Sequence, residues 1–208
     1  MLYPATVEPP TLELLKRLMQ QPFLAPFALA GGTNLALQFG HRLSVDLDLF
    51  TTQSFSAEDL FEELLVNFPT VIKIDEARNT LSLFLEGVKV DLLAHRYPLL
   101  SPFTEEFGIR FWSIQDVIAM KLGAISGRGA KKDFWDIAEL LDHFSLSDML
   151  HFFVTKYPNS DPGYVVRSLT YFEDAEPQAD PISLNTAIKW PDVKKRVLQA
   201  VKELVYPF

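Results

Sequence analysis

The sequence predicts an α+β protein, with an α/β half at residues 1–112 followed by a helical half at residues 113–208. Three observations carry this. Short apolar or alternating runs at 27–30, 45–50, 71–74, 81–85 and 88–93 have strand character. From Ser113 onward the apolar residues recur at helical spacing instead. The change falls at Phe111–Ser113 with no long linker, so the two halves are expected to pack together.

Taken in order, residues 11–20 (TLELLKRLMQ) place leucines at helical spacing. Phe27–Ala30 reads as a short strand running into Gly31-Gly32, and Thr33–Phe39 as a helix stopped by Gly40. Val45–Phe50 alternates apolar and acidic residues, a strand pattern. Ala57–Phe68 is a predicted helix with Ser56 as its N-cap. Val71–Ile74, Leu81–Leu85 and Val88–Leu93 follow as strands, turning at Asn79 and at Glu86-Gly87, and Phe107–Trp112 adds another. Helices are then expected at Ser113–Ile125, Lys131–Phe144, Ser147–Tyr157 and Asp192–Val205, with loops at Pro158–Gly163 and Glu176–Pro181.

Composition narrows the function classes. The chain has 208 residues and no cysteine, which excludes disulfide scaffolds and Cys-ligated zinc and fits a reducing cytoplasm. No basic n-region with an apolar run opens the chain, and no apolar stretch is long enough to span a membrane. The net charge of −8 disfavours a general nucleic-acid binder. Contact with nucleic acid would rest on a local basic patch, for which Lys121–Lys132 is the candidate.

The chemistry concentrates in residues 31–50, GGTNLALQFGHRLSVDLDLF. Asp46 and Asp48 are two apart on a predicted strand, so both carboxylates project to one face while Val45, Leu47 and Leu49 anchor the other. Adjacent carboxylates repel unless a hard cation such as Mg²⁺ neutralises them. Gly31-Gly32-Thr33 lies between a strand and a helix N-terminus, a setting in which backbone N–H groups favour phosphate, and Thr33 adds a hydroxyl. Asp91 stands among apolar strand residues and is either a third metal ligand or a general base. As a bland alternative it forms an ion pair with Arg42, Lys89 or Lys73.

These residues resemble the DNA-polymerase-β-like nucleotidyltransferase superfamily, and more closely its AbiEii/AbiGii toxin-type members. The run Gly31-Gly32-Thr33, Leu35-Ala36, Gly40-His41-Arg42, Ser44, Asp46, Asp48 carries the resemblance. Lys121-Leu122, Arg128, Lys132-Asp133 and Asp136-Ile137 form a second block, and Leu169–Glu176 a weaker third. The resemblance implies a mixed β-sheet flanked by helices. It also implies Mg²⁺- or Mn²⁺-dependent transfer of a nucleoside monophosphate from an NTP to RNA, a tRNA 3′ end or a protein, with an antitoxin as possible partner and no membrane. In that reading Asp46, Asp48 and Asp91 hold the metal. Gly31, Gly32, Thr33, Arg42, Ser44 and Lys121 serve the nucleotide, with Lys121 as a phosphate contact and Asp136 in support.

Plainer readings stand beside these. Lys121 is also readable as a surface lysine, Lys131 and Lys132 as a solvated face, and Asp133 and Asp136 as first-turn acids of a helix. His41 is expected to orient its loop; His95, His143 and His151 lack metal spacing; Trp112, Trp135 and Trp190 read as packing residues. A haloacid-dehalogenase-like phosphatase would use Asp46-Leu-Asp48-Leu-Phe-Thr51, but Gly-His-Arg-Leu-Ser before it is no continuous apolar strand. A non-catalytic nucleotide- or partner-binding module of the same fold is the other rival.

Overall fold

In the computed structural model, residues 2–184 and 188–204 are described. Eight α-helices and one seven-stranded sheet occur among them. Helix α1 (Pro9–Met19) leads to strand β1 (Ala28–Leu29), helix α2 (Gly31–Phe39) and strand β2 (Leu47–Thr51). After α3 (Ala57–Asn67) come β3 (Ile72–Ala77), β4 (Thr80–Leu85) and β5 (Val88–Ala94), then a hairpin of β6 (Thr104–Glu106) and β7 (Ile109–Phe111). Helices α4 (Ile114–Arg128), α5 (Lys131–Leu140), α6 (Leu146–Lys156), α7 (Pro162–Leu169) and α8 (Trp190–Glu203) complete the fold. The expected helix end at Val205 lies outside the described residues.

The sheet order is β3-β4-β5-β2-β1-β7-β6. β2 runs parallel to β5 and β1 parallel to β7, while the other neighbours are antiparallel, so the sheet is mixed as expected. Alternation along the strands sorts residues between two apolar cores. Leu29, Leu47, Leu49, Val90 and Leu92 face α1 and α3, meeting Leu14, Leu15, Leu18 and Leu64. Ala28 faces the other way, into a second core built by the C-terminal helices around Trp112, Phe134, Leu122 and Leu150. Asp48 and Phe50 share this second face.

Local chemistry explains the element ends. Ser56, Ser113 and Ser145 each accept a hydrogen bond from the backbone N–H three residues on, opening α3, α4 and α6. Buried Asn34 donates to the Leu29 and Trp112 carbonyls and so ties α2 to β1 and to the end of β7. Arg110 donates to the carbonyls of Phe27, Met19 and Leu24, closing the chain entry to β1.

Four expectations need correction. β2 begins at Leu47, so Asp46 precedes the strand, and Val45 is 62% exposed rather than an anchor beside Leu47 and Leu49. Strand character over 107–112 is confined to β7, because Phe107 and Gly108 form the turn with φ of +53° and +75°. Helix α5 stops at Leu140 instead of Phe144. Residues 162–169 form α7, where Asp161 caps Gly163 and Pro162 occupies the first turn.

Candidate active site

The Gly-Gly-Thr run opens α2 directly, and each of its residues packs against a different part of the acidic segment. Gly31 has φ +66°, and a Cβ there would lie 1.9 Å from Asp48 Oδ2. A Cβ on Gly32 would lie 2.3 Å from the Arg42 guanidinium. Thr33 is buried; its hydroxyl donates to the Asp46 carbonyl and lies 2.8 Å from Ser44 Oγ. The expectation that the Thr33 hydroxyl meets phosphate is therefore replaced: Thr33 and Ser44 clamp the backbone that presents Asp46.

Asp48 and Asp91 are register partners across the parallel β2–β5 pair, so their side chains emerge side by side. Asp91 accepts from Ser82 Oγ at 2.6 Å and from Lys89 Nζ at 2.5 Å, the pairing that the bland reading allowed with Lys89. Asp46 Oδ2 lies 3.4 Å from Lys132 Nζ. The Asp48 backbone carbonyl accepts from the Ala30 N–H at 2.8 Å, but its carboxylate accepts no hydrogen bond from any of the described residues. Burial pushes its carboxyl above the usual range, Asp91 and Asp46 add to the rise, and Lys121 opposes it.

Behind this face lies a buried ionic cluster centred on Asp136. Arg42 Nε and Nη2 reach its two oxygens at 2.6 and 3.0 Å, His41 Nε2 lies at 2.7 Å and Lys121 Nζ at 2.7 Å. Arg42 Nη1 donates to the Leu43 carbonyl, so all three guanidinium nitrogens are engaged. Lys121 also reaches Asp133 at 3.0 Å, and Arg128 grips Asp133 from the rim at 2.8 Å. Burial alone would raise Asp136, but Arg42 and Lys121 hold it well below the usual carboxylate range. Burial likewise opposes the charged form of Lys121, and Asp136 and Asp133 prevail to hold its pKa up.

Several readings change here. Asp133 stands in the first turn of α5 as expected, whereas Asp136 lies beyond it, and both are buried charge partners. Lys121 is 5% exposed and is no surface lysine. Lys131 is also buried, paired with Asp180 at 3.0 Å, so only Lys132 of that pair faces solvent. Arg42, expected to steady the triphosphate or the carboxylates, is committed to Asp136. Trp135 stacks on Trp190 at 6.0 Å between ring centroids and serves packing, as expected.

The carboxylates and the buried cluster border a cleft of about 210 Å³. Gly31, Asp46, Asp48 and Asp91 form one wall, and Val117, Met120, Lys121, Ala124 and Arg128 of α4 the other. Lys89 and Lys132 stand at its rim, and Phe50 lines it as well. Sequence reasoning did not assign Lys89, Phe50 or Met120 to the site. The period-2 relation of Lys89 to Asp91 was the available signal for the first. A larger groove, about 950 Å³, lies between the α5–α6 turn and α8, but its Asp142 and Arg196 pair with each other at 2.7 Å. Chemistry rather than volume selects the smaller cleft.

Among the described residues no three His, Asp or Glu side chains converge into a ready-made metal-binding group. The donor set still fits a hard divalent cation. Asp48 is an unpartnered carboxylate beside Asp46, and oxygen ligands of this kind are what Mg²⁺ and Mn²⁺ take.

The profile of the family described as "Nucleotidyl transferase AbiEii toxin, Type IV TA system" matches residues 13–204. The chain belongs to the AbiEii nucleotidyltransferase family. An uncharacterised protein of Aquifex aeolicus (strain VF5) is 32% identical over 200 residues, covering 92% of this chain and 94% of the relative. Among solved structures, JHP933 from Helicobacter pylori superposes with a TM-score of 0.58 at 19% identity, over 94% of this chain and 92% of that one. MenT4, a nucleotidyltransferase toxin from Mycobacterium tuberculosis, gives 0.54 at 16% identity, over 86% and 76%. The AbiEii assignment makes this chain a nucleotidyltransferase, and the two structures share its mixed-sheet α+β fold. No helix among the described residues is long and apolar enough to cross a membrane.

Proposed function

We propose that this AbiEii-family chain moves a nucleoside monophosphate from an NTP to a hydroxyl of an acceptor, an RNA or tRNA 3′ end or a protein side chain. We further read it as the toxin of a toxin–antitoxin pair acting in the cytoplasm, with residues 1–112 as catalytic core and 113–208 as its helical support. The observation that carries the reading is the placement of Asp48. It is an unpartnered carboxylate seated on Gly31, beside Asp46 and Asp91, facing a cleft rimmed by lysines and arginine.

Asp46 and Asp48 are the residues that would hold Mg²⁺ or Mn²⁺. Such a cation, when bound, neutralises triphosphate charge and stabilises the oxygens between which the phosphoryl group passes. The chain's own residues supply position and charge. Gly31 and Gly32 line the cleft at the start of α2, where backbone N–H groups favour phosphate. Arg128 and Lys132 offer donors from the opposite rim. Asp91, oriented by Ser82, accepts the acceptor's proton. The acceptor oxygen forms a bond to the α-phosphorus. The bond from that phosphorus to the bridging oxygen breaks, and pyrophosphate leaves with the electron pair. Lys121, Arg42 and Asp136 contribute by fixing the floor of the cleft rather than by direct grip.

The test is incubation with each of four α-labelled NTPs, Mg²⁺ and total cellular RNA, beside an Asp46→Asn/Asp48→Asn control. Label in RNA or in a protein band with the parent chain only supports the reading and identifies base and acceptor together. Magnesium-dependent nucleotide binding with no transfer, across RNA and protein acceptors, would make the chain a binding module instead.

A further inference from the structure

Two kinds of cation surround the cleft. Arg42 and Lys121 have side chains only 4% and 5% exposed and are locked on Asp136. Lys89 and Lys132 are different. Their side chains are 41% and 47% exposed, and each pairs with one carboxylate of the cleft: Lys89 with Asp91 at 2.5 Å, Lys132 with Asp46 at 3.4 Å.

They also come from opposite sides. Lys89 stands two residues before Asp91 on β5, on the same face of the strand. Lys132 is the second residue of α5. Asp46, Asp48 and Asp91 concentrate negative charge, and the two lysines are its only exposed side-chain counter-ions in contact among the described residues.

A lysine ammonium is a compact charge on a flexible four-carbon stem with three donors, and exposed pairs of this sort are weakly held. A divalent cation on the carboxylates would repel both ammonium groups. A triphosphate entering with it offers them a stronger, more negative acceptor.

We propose that Lys89 and Lys132 are exchange ligands of the nucleotide. Each balances a carboxylate, Asp91 or Asp46, before substrate binds. Each then transfers its hydrogen bonds to the phosphates, which frees Asp46 for the cation and Asp91 for the acceptor's proton. The inference deepens the nucleotidyltransferase reading and rests on it.

The exchange has a consequence that a simple phosphate-binding lysine lacks. In the absence of nucleotide each lysine competes with the cation, so its removal must act in opposite directions on the two ligands. The probes are Mn²⁺ alone, followed by the electron paramagnetic resonance of the free ion, and magnesium tripolyphosphate, followed by calorimetry. Lys89→Gln and Lys132→Gln are expected to bind Mn²⁺ about 3-fold more tightly and tripolyphosphate about 3- to 10-fold more weakly than the parent. Lys132→Arg, which keeps the charge, should retain most of the tripolyphosphate affinity. Both positions are exposed, and a melting curve checks that each variant is folded.

If both affinities move in the same direction, or neither moves, the exchange is refuted. Asp48→Asn separates that result from a failure of the wider reading. If it binds Mn²⁺ as the parent does, the cation site itself is misplaced and both proposals fall. If it loses Mn²⁺ while the lysine variants show no opposed shifts, the exchange alone falls.

Discussion

Gly31 packs against Asp48 so closely that a Cβ on it would stand 1.9 Å from the carboxylate Oδ2 and 2.7 Å from Cγ. The glycine also holds φ +66°, a conformation that costs an L side chain about 1–2 kcal/mol. Steric room and backbone angle thus demand the same residue. Gly31→Ala must displace the Asp48 side chain, and a misplacement near 1 Å lowers catalysis about 100-fold. A loss of labelled nucleotide transfer on that scale, with a much smaller loss in melting temperature, is expected. Activity close to that of the parent would show that the observed position of Asp48 is not the working one.

Asp136 holds Arg42, His41 and Lys121 in a fully buried cluster. Asp136→Asn removes the only negative partner that Arg42 has in the cluster and one of two that Lys121 has. Uncompensated buried charge of this kind costs about 3–5 kcal/mol, which urea unfolding at pH 7 would register. The acid side gives a second reading. Asp136 has a folded pKa well below its unfolded value, so its contribution is complete above the unfolded pKa and fades as pH falls toward the folded one. The parent should therefore lose stability below about pH 4 more steeply than Asp136→Asn does.

His95 carries the opposite lesson about protons. Burial lowers its pKa to about 4, and the Lys156 charge adds to the fall. Its Nε2 lies 3.0 Å from the Tyr157 hydroxyl, an arrangement in which neutral imidazole accepts. The unfolded chain binds a proton at this residue from about pH 6.5 downward, and the folded chain does not until near pH 4. Stability is then complete above about pH 6.5 and declines as pH falls through that window, by on the order of 2 kcal/mol after allowance for partial exposure. His95→Phe should flatten unfolding free energy against pH between 4 and 6.5. An unchanged slope would mean that His95 titrates alike in both states.

Lys156 and Asp116 form an ion pair at 2.6 Å with both side chains fully buried. Asp116 also accepts from the Leu100 and Ser101 N–H groups and from Ser113 Oγ, and Lys156 donates to the Pro98 carbonyl. The pair pins the segment after β5 onto α4 and α6. Lys156→Met is expected to cost about 3–5 kcal/mol, because it strands the Asp116 charge. Adding Asp116→Asn should recover part of that loss in a double-mutant cycle. Strict additivity would show that the two charges do not interact.

Much of the fold was legible because its signals are local. Strand alternation over 81–85 and 88–93 and leucine spacing in 11–20 reflect burial of one face, and those elements appear within two residues of their expected bounds at most ends. Residues 162–169 escaped because Pro162 and Gly163 looked like loop punctuation, whereas Pro suits the first turn of a helix that Asp161 caps. Val45 misled through the opposite error: alternation was extended past the strand end, where no sheet face buries it.

For the site, residue spacing alone already placed two acids two apart beyond a glycine pair and a third acid on a later strand. Chain spacing of one or two residues dictates side-chain direction, so these features survive without a structure. Tertiary packing alone decided which charges meet. It placed Arg42 and Lys121 on Asp136, Lys89 on Asp91 and Lys132 on Asp46, and left the Asp48 carboxylate without a hydrogen bond among the described residues. Arg42 and Asp136 are 94 residues apart in the chain, and Asp46 and Lys132 are 86 apart. An ion pair depends on distance in space and on the water excluded around it. Neither quantity is encoded in local periodicity; both come from how α4 and α5 close over the sheet.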